Sequence, residues 1–257
     1  MSAHTLTAQL LRAQNCDVFI DFDGMVVPGD ATDSLLARFA DPAWREIEEE
    51  WQQGRLDSRT CLSRQVSLLR ATPGDIARFL EELTIDPGFA GFIRLCRAAR
   101  MRATVLSDGM DLVVGTVLRR AGVNLPFFAN RLVWEGGDRW RMEFPFARAD
   151  CCWKMGNCKC SHRQLETAAN IMVGDGRSDF CIAERCSFVL AKGRLADHCR
   201  ERGLPHAEIA DFAEARRILA MWLRRRRGQA APRSAGGPAI AQPWRGRLAR
   251  ALTHDRS

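Results

Sequence analysis

Short apolar runs that stop at acids or hydroxyls recur along the chain, separated by stretches of helical periodicity. Asp17-Val-Phe-Ile-Asp-Phe-Asp23 ends in acids and Gly24, the pattern of a buried parallel strand entering a loop. From Ala31 to about Leu83 the periodicity is helical, broken at Pro42, Gly54 and Pro73-Gly74, which predicts three or four short helices rather than more sheet. Pro87 opens a helix to about Arg100, with Phe89, Phe92, Ile93 and Cys96 at helical spacing. Ala103 to Ser107 reads as a second strand, and Met110 to Arg120 as the helix after it, ended by Gly122. Leu132-Val-Trp134 and Trp140-Arg-Met-Glu-Phe144 flank Glu135-Gly-Gly-Asp138, a hairpin signal. Ile171 to Gly174 is a third core strand with a helix behind it to about Glu184. Ser187 to Leu190 is a fourth, followed by a helix from Leu195 to Arg202. Ala213 to Arg224 is the last amphipathic helix, and Gly228 to Pro243 is rich in Gly, Pro and Ala without periodicity.

Strands alternating with helices imply a mainly parallel sheet, and such sheets build their sites at the carboxyl ends of the strands. Three of the expected strands end in acids or hydroxyls, at Asp21 and Asp23, at Ser107, and at Asp175. That convergence directs the search for chemistry.

Composition narrows the class. A hydrophobic fraction of 46% and a charged fraction of 27% fit a globular protein, and no apolar run approaches the ~20 residues needed to span a bilayer. Met1 to Asn15 lacks a basic segment followed by an apolar one, so the cytoplasm is the expected location and no membrane partner is expected. The net charge of +7 is concentrated at the carboxyl end, around Arg224 to Arg227. A solvated basic tail over 223–257 is the expectation there, and a nucleic-acid partner is not expected. The ten cysteines read as reduced thiols, because the chain is long and several fall inside apolar helix or strand patterns. Cys151, Cys152, Cys158 and Cys160 could make a zinc site, although Cys-Cys and Cys-x-Cys are not the usual paired spacings. His162 and His198 are read as surface or loop positions, and Trp44 and Trp51 as packing between helices.

Asp21-Phe-Asp23-Gly24 places two carboxylates two residues apart before a sharp turn, and Gly174-Asp-Gly-Arg-Ser-Asp179 adds a second acidic loop. Acids from separate strands suit Mg²⁺, a hard cation often held by a few carboxylates plus phosphate oxygens. Each motif alone is weak, and the two together with Ser107-Asp-Gly at a third strand end, in this order, are far more specific.

Asp-x-Asp-Gly, then a strand-terminal Ser, a Lys, and Gly-Asp-Gly-x-x-Asp resembles the haloacid dehalogenase superfamily, over roughly residues 16 to 220. The phosphoserine-phosphatase-like branch matches best, with methionine-salvage phosphatases nearest and phosphoethanolamine/phosphocholine phosphatases next. Ser107-Asp-Gly-Met110, Asn157-Cys-Lys-Cys160, Gly174 to Cys181 and Leu190 to Cys199 carry that resemblance. It implies a Rossmann-like three-layer α/β core over 1–25 and 87–222, with an inserted helical cap over 26–86 that closes on the site. It implies Mg²⁺-dependent hydrolysis of a small phosphorylated metabolite through an aspartyl-phosphate. Asp21 would be the nucleophile, and Asp23 would protonate the leaving oxygen and then activate water. Mg²⁺ would be held by the Asp21 carboxylate, the Asp23 carbonyl and Asp175, braced by Asp179. Ser107, with Asp108 and Gly109 beside it, and a lysine would bind the phosphoryl oxygens.

Lys159 is preferred for that lysine because Asn-Cys-Lys-Cys precedes an expected helix, Ser161 to Ala168; Lys154 is the alternative. Asp30 stands where phosphoserine phosphatases carry a Glu that recognises the amino group, and Arg59 is a candidate substrate contact from the cap. Met25 replaces the Thr that relatives commonly carry after the Gly. A phosphomutase, a catalytically silent binding protein that uses the cleft and basic tail for a polyanion, and a zinc-organised interaction module remain alternatives. A homodimer stays open.

Overall fold

The computed structural model describes residues 16–151, 153–162 and 169–229. Outside the described residues lie the first fifteen residues of the expected core, Cys152, most of the helix expected after Lys159, and positions 230–257 of the expected tail.

Strand β1 (Cys16–Asp21) leads into four helices, α1 (Ala31–Phe39), α2 (Trp44–Gln52), α3 (Ser58–Ser67) and α4 (Pro73–Glu82). The chain then returns through α5 (Phe89–Ala98), β2 (Arg102–Met110) and α6 (Asp111–Arg120) to the hairpin β3 (Phe127–Gly136) and β4 (Arg139–Glu143). It ends with β5 (Ala169–Gly174), the single turn α7 (Phe180–Ala183), β6 (Phe188–Ala191), α8 (Gly193–Arg202), β7 (His206–Glu208) and α9 (Phe212–Gln229).

The described strands form one sheet in the order β4-β3-β2-β1-β5-β6-β7, parallel except for β4. Both faces of its centre are covered. Val18 and Ile20 of β1, Val105 of β2 and Ile171 and Val173 of β5 enter one apolar cluster. Phe19, Leu106 and Met172, one residue out of step, enter another with Ile182, Leu195 and Cys199. Because side chains alternate across a strand, one sequence fills two cores, which makes three layers. Phe212 of α9 packs on Phe89 and Phe92 of α5, with ring centroids 5.1 and 5.3 Å apart, and seals the first of them.

The four-helix insert is pinned at its two crossings, where the Asp86 amide donates to the Val26 carbonyl at 2.9 Å. Further out, the Trp140 indole donates to the Ala71 carbonyl at 2.7 Å and Arg120 donates to Leu80 at 2.6 Å. The insert is thereby fixed to the hairpin and to α6.

Several expectations change. Strand β3 begins at Phe127 and pairs with β2 before it turns toward β4, a span whose side chains do not alternate cleanly. The edge strand β7 is three residues long and too polar to read from the pattern. Helix α9 runs to Gln229, so the arginine run expected in the tail continues a helix. Arginine is a good helix former, and no Gly or Pro interrupts before Gly228.

Candidate active site

The carboxyl ends of β1, β2 and β5 converge beneath the helical insert, around a cleft of about 370 Å³. Asp21 is the last residue of β1. Its Oδ1 accepts from the Phe22 amide at 2.7 Å and lies 2.6 Å from Lys159 Nζ. Two residues on, the Asp23 carboxylate accepts from the Ala31 amide at 2.8 Å, at the start of α1. Gly24 between strand and insert has φ +71°, and a Cβ there would meet Asp175 Oδ2 at 1.9 Å. Only glycine lets the first acidic loop approach the second this closely. Gly174 plays the same part for Asp179, whose Oδ2 would lie 2.2 Å from an added Cβ.

Lys159 is buried in a short 3₁₀ turn, Lys159–His162, with its ammonium between the Asp21 and Asp179 carboxylates (2.6 and 2.7 Å) and 2.9 Å from Ser178 Oγ. Burial would lower its pKa, but Asp179 and Asp21 outweigh burial and hold it charged. Lys154 stands on a left-handed backbone with φ 49°, its amide donating to the Cys151 carbonyl at 3.0 Å, and among the described residues it has no ion pair with the cleft acids. Asp179 Oδ2 accepts from the Asp175 and Gly176 amides at 3.1 and 3.3 Å, so this acid orients the loop that carries Asp175.

Ser107 is fully buried, with its Oγ accepting from the Gly109 amide at 2.9 Å. A Cβ on Gly109 would meet Ser107 Oγ, Asp23 Oδ2 and Thr32 Oγ1 within 3.1–3.2 Å, which locates these three groups on one spot. Asp108 turns aside. It accepts from Ser58 Oγ in the insert and from the Asn157 amide at 2.6 Å, while Asn157 Nδ2 donates to the Ser107 carbonyl at 3.0 Å. Asn130 Nδ2 also donates to the Asp108 carbonyl at 2.6 Å, so Asn157 and Asn130 hold the Ser107 loop in place, roles that the sequence motif did not disclose. Met25 is buried in the apolar core and brings no polar atom to the cleft.

Asp23, Asp175 and Asp179 hold their protons more tightly than ordinary carboxyls. Burial, then the Asp30 and Asp21 carboxylates, push Asp23 well above the ordinary carboxylate value. Burial and Asp21 raise Asp175 to about 6, and burial and Asp21 also raise Asp179. Asp21, Asp175 and Asp179 bring one oxygen each within 4.8 Å of one another, the only group of three such ligand atoms among the described residues. Mutually repelling carboxylate oxygens, two of them buried and one half-buried, are the donor set of a hard divalent cation, so the residues fit Mg²⁺. Cys151, Cys158 and Cys160 do not form such a group, and no zinc site is assembled from them.

Other candidates fare differently. Asp30 lines the cleft mouth and caps α1 by accepting from the Asp33 amide at 2.8 Å. Arg59 shares its helix with four residues that line the cleft. Helix α3 presents Ser58, Cys61, Leu62 and Gln65 to the cleft, the i, i+3, i+4, i+7 face. Arg59 lies a third of a turn round from that face, and its guanidinium stands 4.0 Å from Asp57 instead. Arg177 reaches the cleft from the second acidic loop, 5.8 Å over the Trp51 ring of the insert and 5.3 Å over Trp153. Trp51 therefore lines the cleft rather than merely packing helices. His162 is half-buried against Phe128, with its pKa lowered to about 4 by burial, and bonds Asn157 at 2.7 Å. His198 is buried in a stack on Phe180 with centroids 3.9 Å apart. The surface-or-loop reading therefore fails for His198, which lies buried in α8, while His162 sits partly exposed at the end of the 3₁₀ turn. Lys192, unmarked in the sequence reading, donates to the Gly24 carbonyl at 3.0 Å and fixes the turn after β1.

Comparison with known proteins places this geometry among relatives. The model of the haloacid dehalogenase-like hydrolase family matches residues 18–184. A 2-hydroxy-3-keto-5-methylthiopentenyl-1-phosphate phosphatase of Brevibacillus brevis is 29% identical over 209 residues, 79% of this chain and 94% of that one. Its counterpart in an Exiguobacterium species is 30% identical over 201 residues, 76% of this chain and 93% of that one. Among solved structures, a substrate-bound phosphoserine phosphatase shares the fold with a TM-score of 0.58 at 21% identity, covering 79% of this chain and 97% of that chain.

Proposed function

Because the chain belongs to the haloacid dehalogenase-like hydrolase family, we propose that it is a phosphatase hydrolysing the phosphomonoester of a small metabolite through an aspartyl-phosphate on Asp21. The observation that carries this reading is the placement of Asp21 on the cleft floor, 2.6 Å from the buried Lys159 ammonium and two residues before an acid with a raised pKa. The Asp21 carboxylate attacks phosphorus in line with the leaving oxygen. Asp23, which burial and its acidic neighbours make bind its proton more tightly than an ordinary carboxyl, gives that proton to the leaving oxygen as the P–O bond breaks. The resulting Asp23 carboxylate takes a proton from water, which attacks the acyl phosphate and frees Asp21. Lys159 and Ser107 face the phosphoryl oxygens, where transition-state charge collects, with Asp108 and Gly109 shaping that loop.

Asp21, Asp175 and the Asp23 carbonyl would hold Mg²⁺, with Asp179 bracing them. When bound, the cation supplies charge neutralisation between an anionic nucleophile and an anionic substrate. The four helices over 26–86 act as the cap that excludes water and selects the substrate, and 87–222 with the first segment forms the catalytic core.

The named relatives make a methylthiopentenyl phosphate the first substrate to test. A second reading has its own support. The cap side of the cleft presents Asp30, Asp33 and Glu48, which favours a phosphorylated amine such as phosphoethanolamine, phosphocholine or phosphoserine. Phosphate release from all four, with and without Mg²⁺, tests both. Wild type should turn over one of them only with Mg²⁺, and Asp21→Asn should lose at least about 10⁴-fold in kcat. Equal release by wild type and Asp21→Asn would sink the assignment of Asp21.

A further inference from the structure

Next to Lys159 and Asp179 in the chain stands a row of sulfurs. Cys160 Sγ is 3.4 Å from Cys158 Sγ and 3.1 Å from Cys181 Sγ, and Cys151 touches Cys158 in turn. Cys160 directly follows Lys159 in the 3₁₀ turn. Cys181 is the second residue of α7, two places after Asp179. The shortest sulfur contact therefore joins the two backbone segments that carry the two halves of the buried ion pair.

The arrangement suits sulfur–sulfur bonding better than metal capture. Four thiolates around zinc at about 2.3 Å would stand ~3.8 Å apart in every pair. Here the contacts run in a line, and no three of these sulfurs lie within 4.8 Å of one another. Cys158 and Cys160 are separated by one residue on the same turn, whereas Cys160 and Cys181 come from separate elements 21 positions apart. Access is graded too: Cys160 is half-buried and Cys181 is 8% exposed, so an oxidant entering from solvent meets Cys160 first.

We infer that Cys160 and Cys181 are a peroxide-reactive dithiol whose disulfide disables the cleft by displacing Lys159. The Cys160 thiolate attacks one oxygen of hydrogen peroxide. The O–O bond breaks, hydroxide leaves and takes up a proton as water, and Cys160 becomes a sulfenic acid. The Cys181 sulfur then attacks the sulfenic sulfur, the S–O bond breaks, a second water departs and the S–S bond forms. Two thiols lose two electrons and peroxide gains them. Closing the contact from 3.1 Å to a bonded ~2.0 Å draws the two segments together by roughly 1 Å. A misplacement of about 1 Å at a catalytic group can cost up to about 100-fold in rate.

The test uses the reduced, Mg²⁺-loaded full chain exposed to hydrogen peroxide, blocked with N-ethylmaleimide, digested and analysed by mass spectrometry. A Cys160–Cys181 linked peptide is expected, two hydrogens lighter than the sum of its parts and released by dithiothreitol. Its detection does not depend on the proposed reaction. Hydrolysis of p-nitrophenyl phosphate should fall between about tenfold and 100-fold with the link and recover on reduction. Cys181→Ser should form no link and keep its turnover in peroxide, while Cys158→Ser should still form the link. A Cys158–Cys160 link, no link at all, or stoichiometric zinc held by these sulfurs in the purified protein would overturn the dithiol. A link that forms with turnover unchanged would overturn its coupling to Lys159.

Discussion

On the floor of the cleft, Asp21 and Asp179 share the Lys159 ammonium, Asp179 also accepts two backbone amides, and Lys192 ties down the turn beside Asp175. On the cap side, Glu48 accepts from Gln65 at 3.0 Å and Asp30 from a backbone amide, but no ion pair involves Asp30, Asp33 or Glu48 among the described residues. Burial, then Asp30 and Glu48, push Asp33 up to about 7. Both walls are acidic, yet only the floor carries its own cations. A floor that must hold charge away from water has to be paired in advance, because an unpaired buried charge is costly. The cap wall, nearer solvent, can keep its repulsion until a proton or a cation relieves it.

Replacing Lys159 should break the comparison most severely. Lys159→Met strands two buried carboxylates and should cost about 3–5 kcal/mol of stability in urea unfolding, along with turnover. Unchanged stability would mean that the floor is not balanced by this lysine. Arg177 bridges floor and cap through its position over Trp51. Arg177→Ala should remove a contact worth about 0.5–1 kcal/mol and raise KM by roughly two- to fivefold with little change in kcat. A drop in kcat alone would put Arg177 in the chemistry instead. The smallest effect concerns Asp33. Its folded pKa lies above the unfolded value of 3.8, so the folded state holds the extra proton and stability falls as pH rises from about 4 to 7. Asp33→Asn should therefore raise Tm at pH 8 by roughly 1–3 °C, a figure kept small by partial exposure, and leave Tm at pH 4 unchanged. Equal shifts at both values would show that repulsion is not the cause.

Particular residues show where reading the sequence succeeds and stops. Asp21, Asp23, Ser107 and Asp175 were legible because each ends an apolar run, and a parallel sheet brings strand ends together whatever the loops do. Lys159 was legible only as one of two lysines, since spacing cannot say which ammonium falls between two carboxylates. Arg59 was named from its helix alone, because helical periodicity locates a helix without fixing its rotation against the core. Trp51, Arg177 and Asn157 were missed as cleft or loop-positioning residues for the same reason: their roles come from partners distant in the chain. Alternating apolar positions determined the doubly covered sheet and the order of its motifs, because period and burial are local properties of the sequence. The charge balance of the floor, the unpaired acids of the cap and the line of sulfurs next to Lys159 were decided only by the tertiary structure. Electrostatic and sulfur contacts act over a few ångströms in space, and chain separation does not encode that distance.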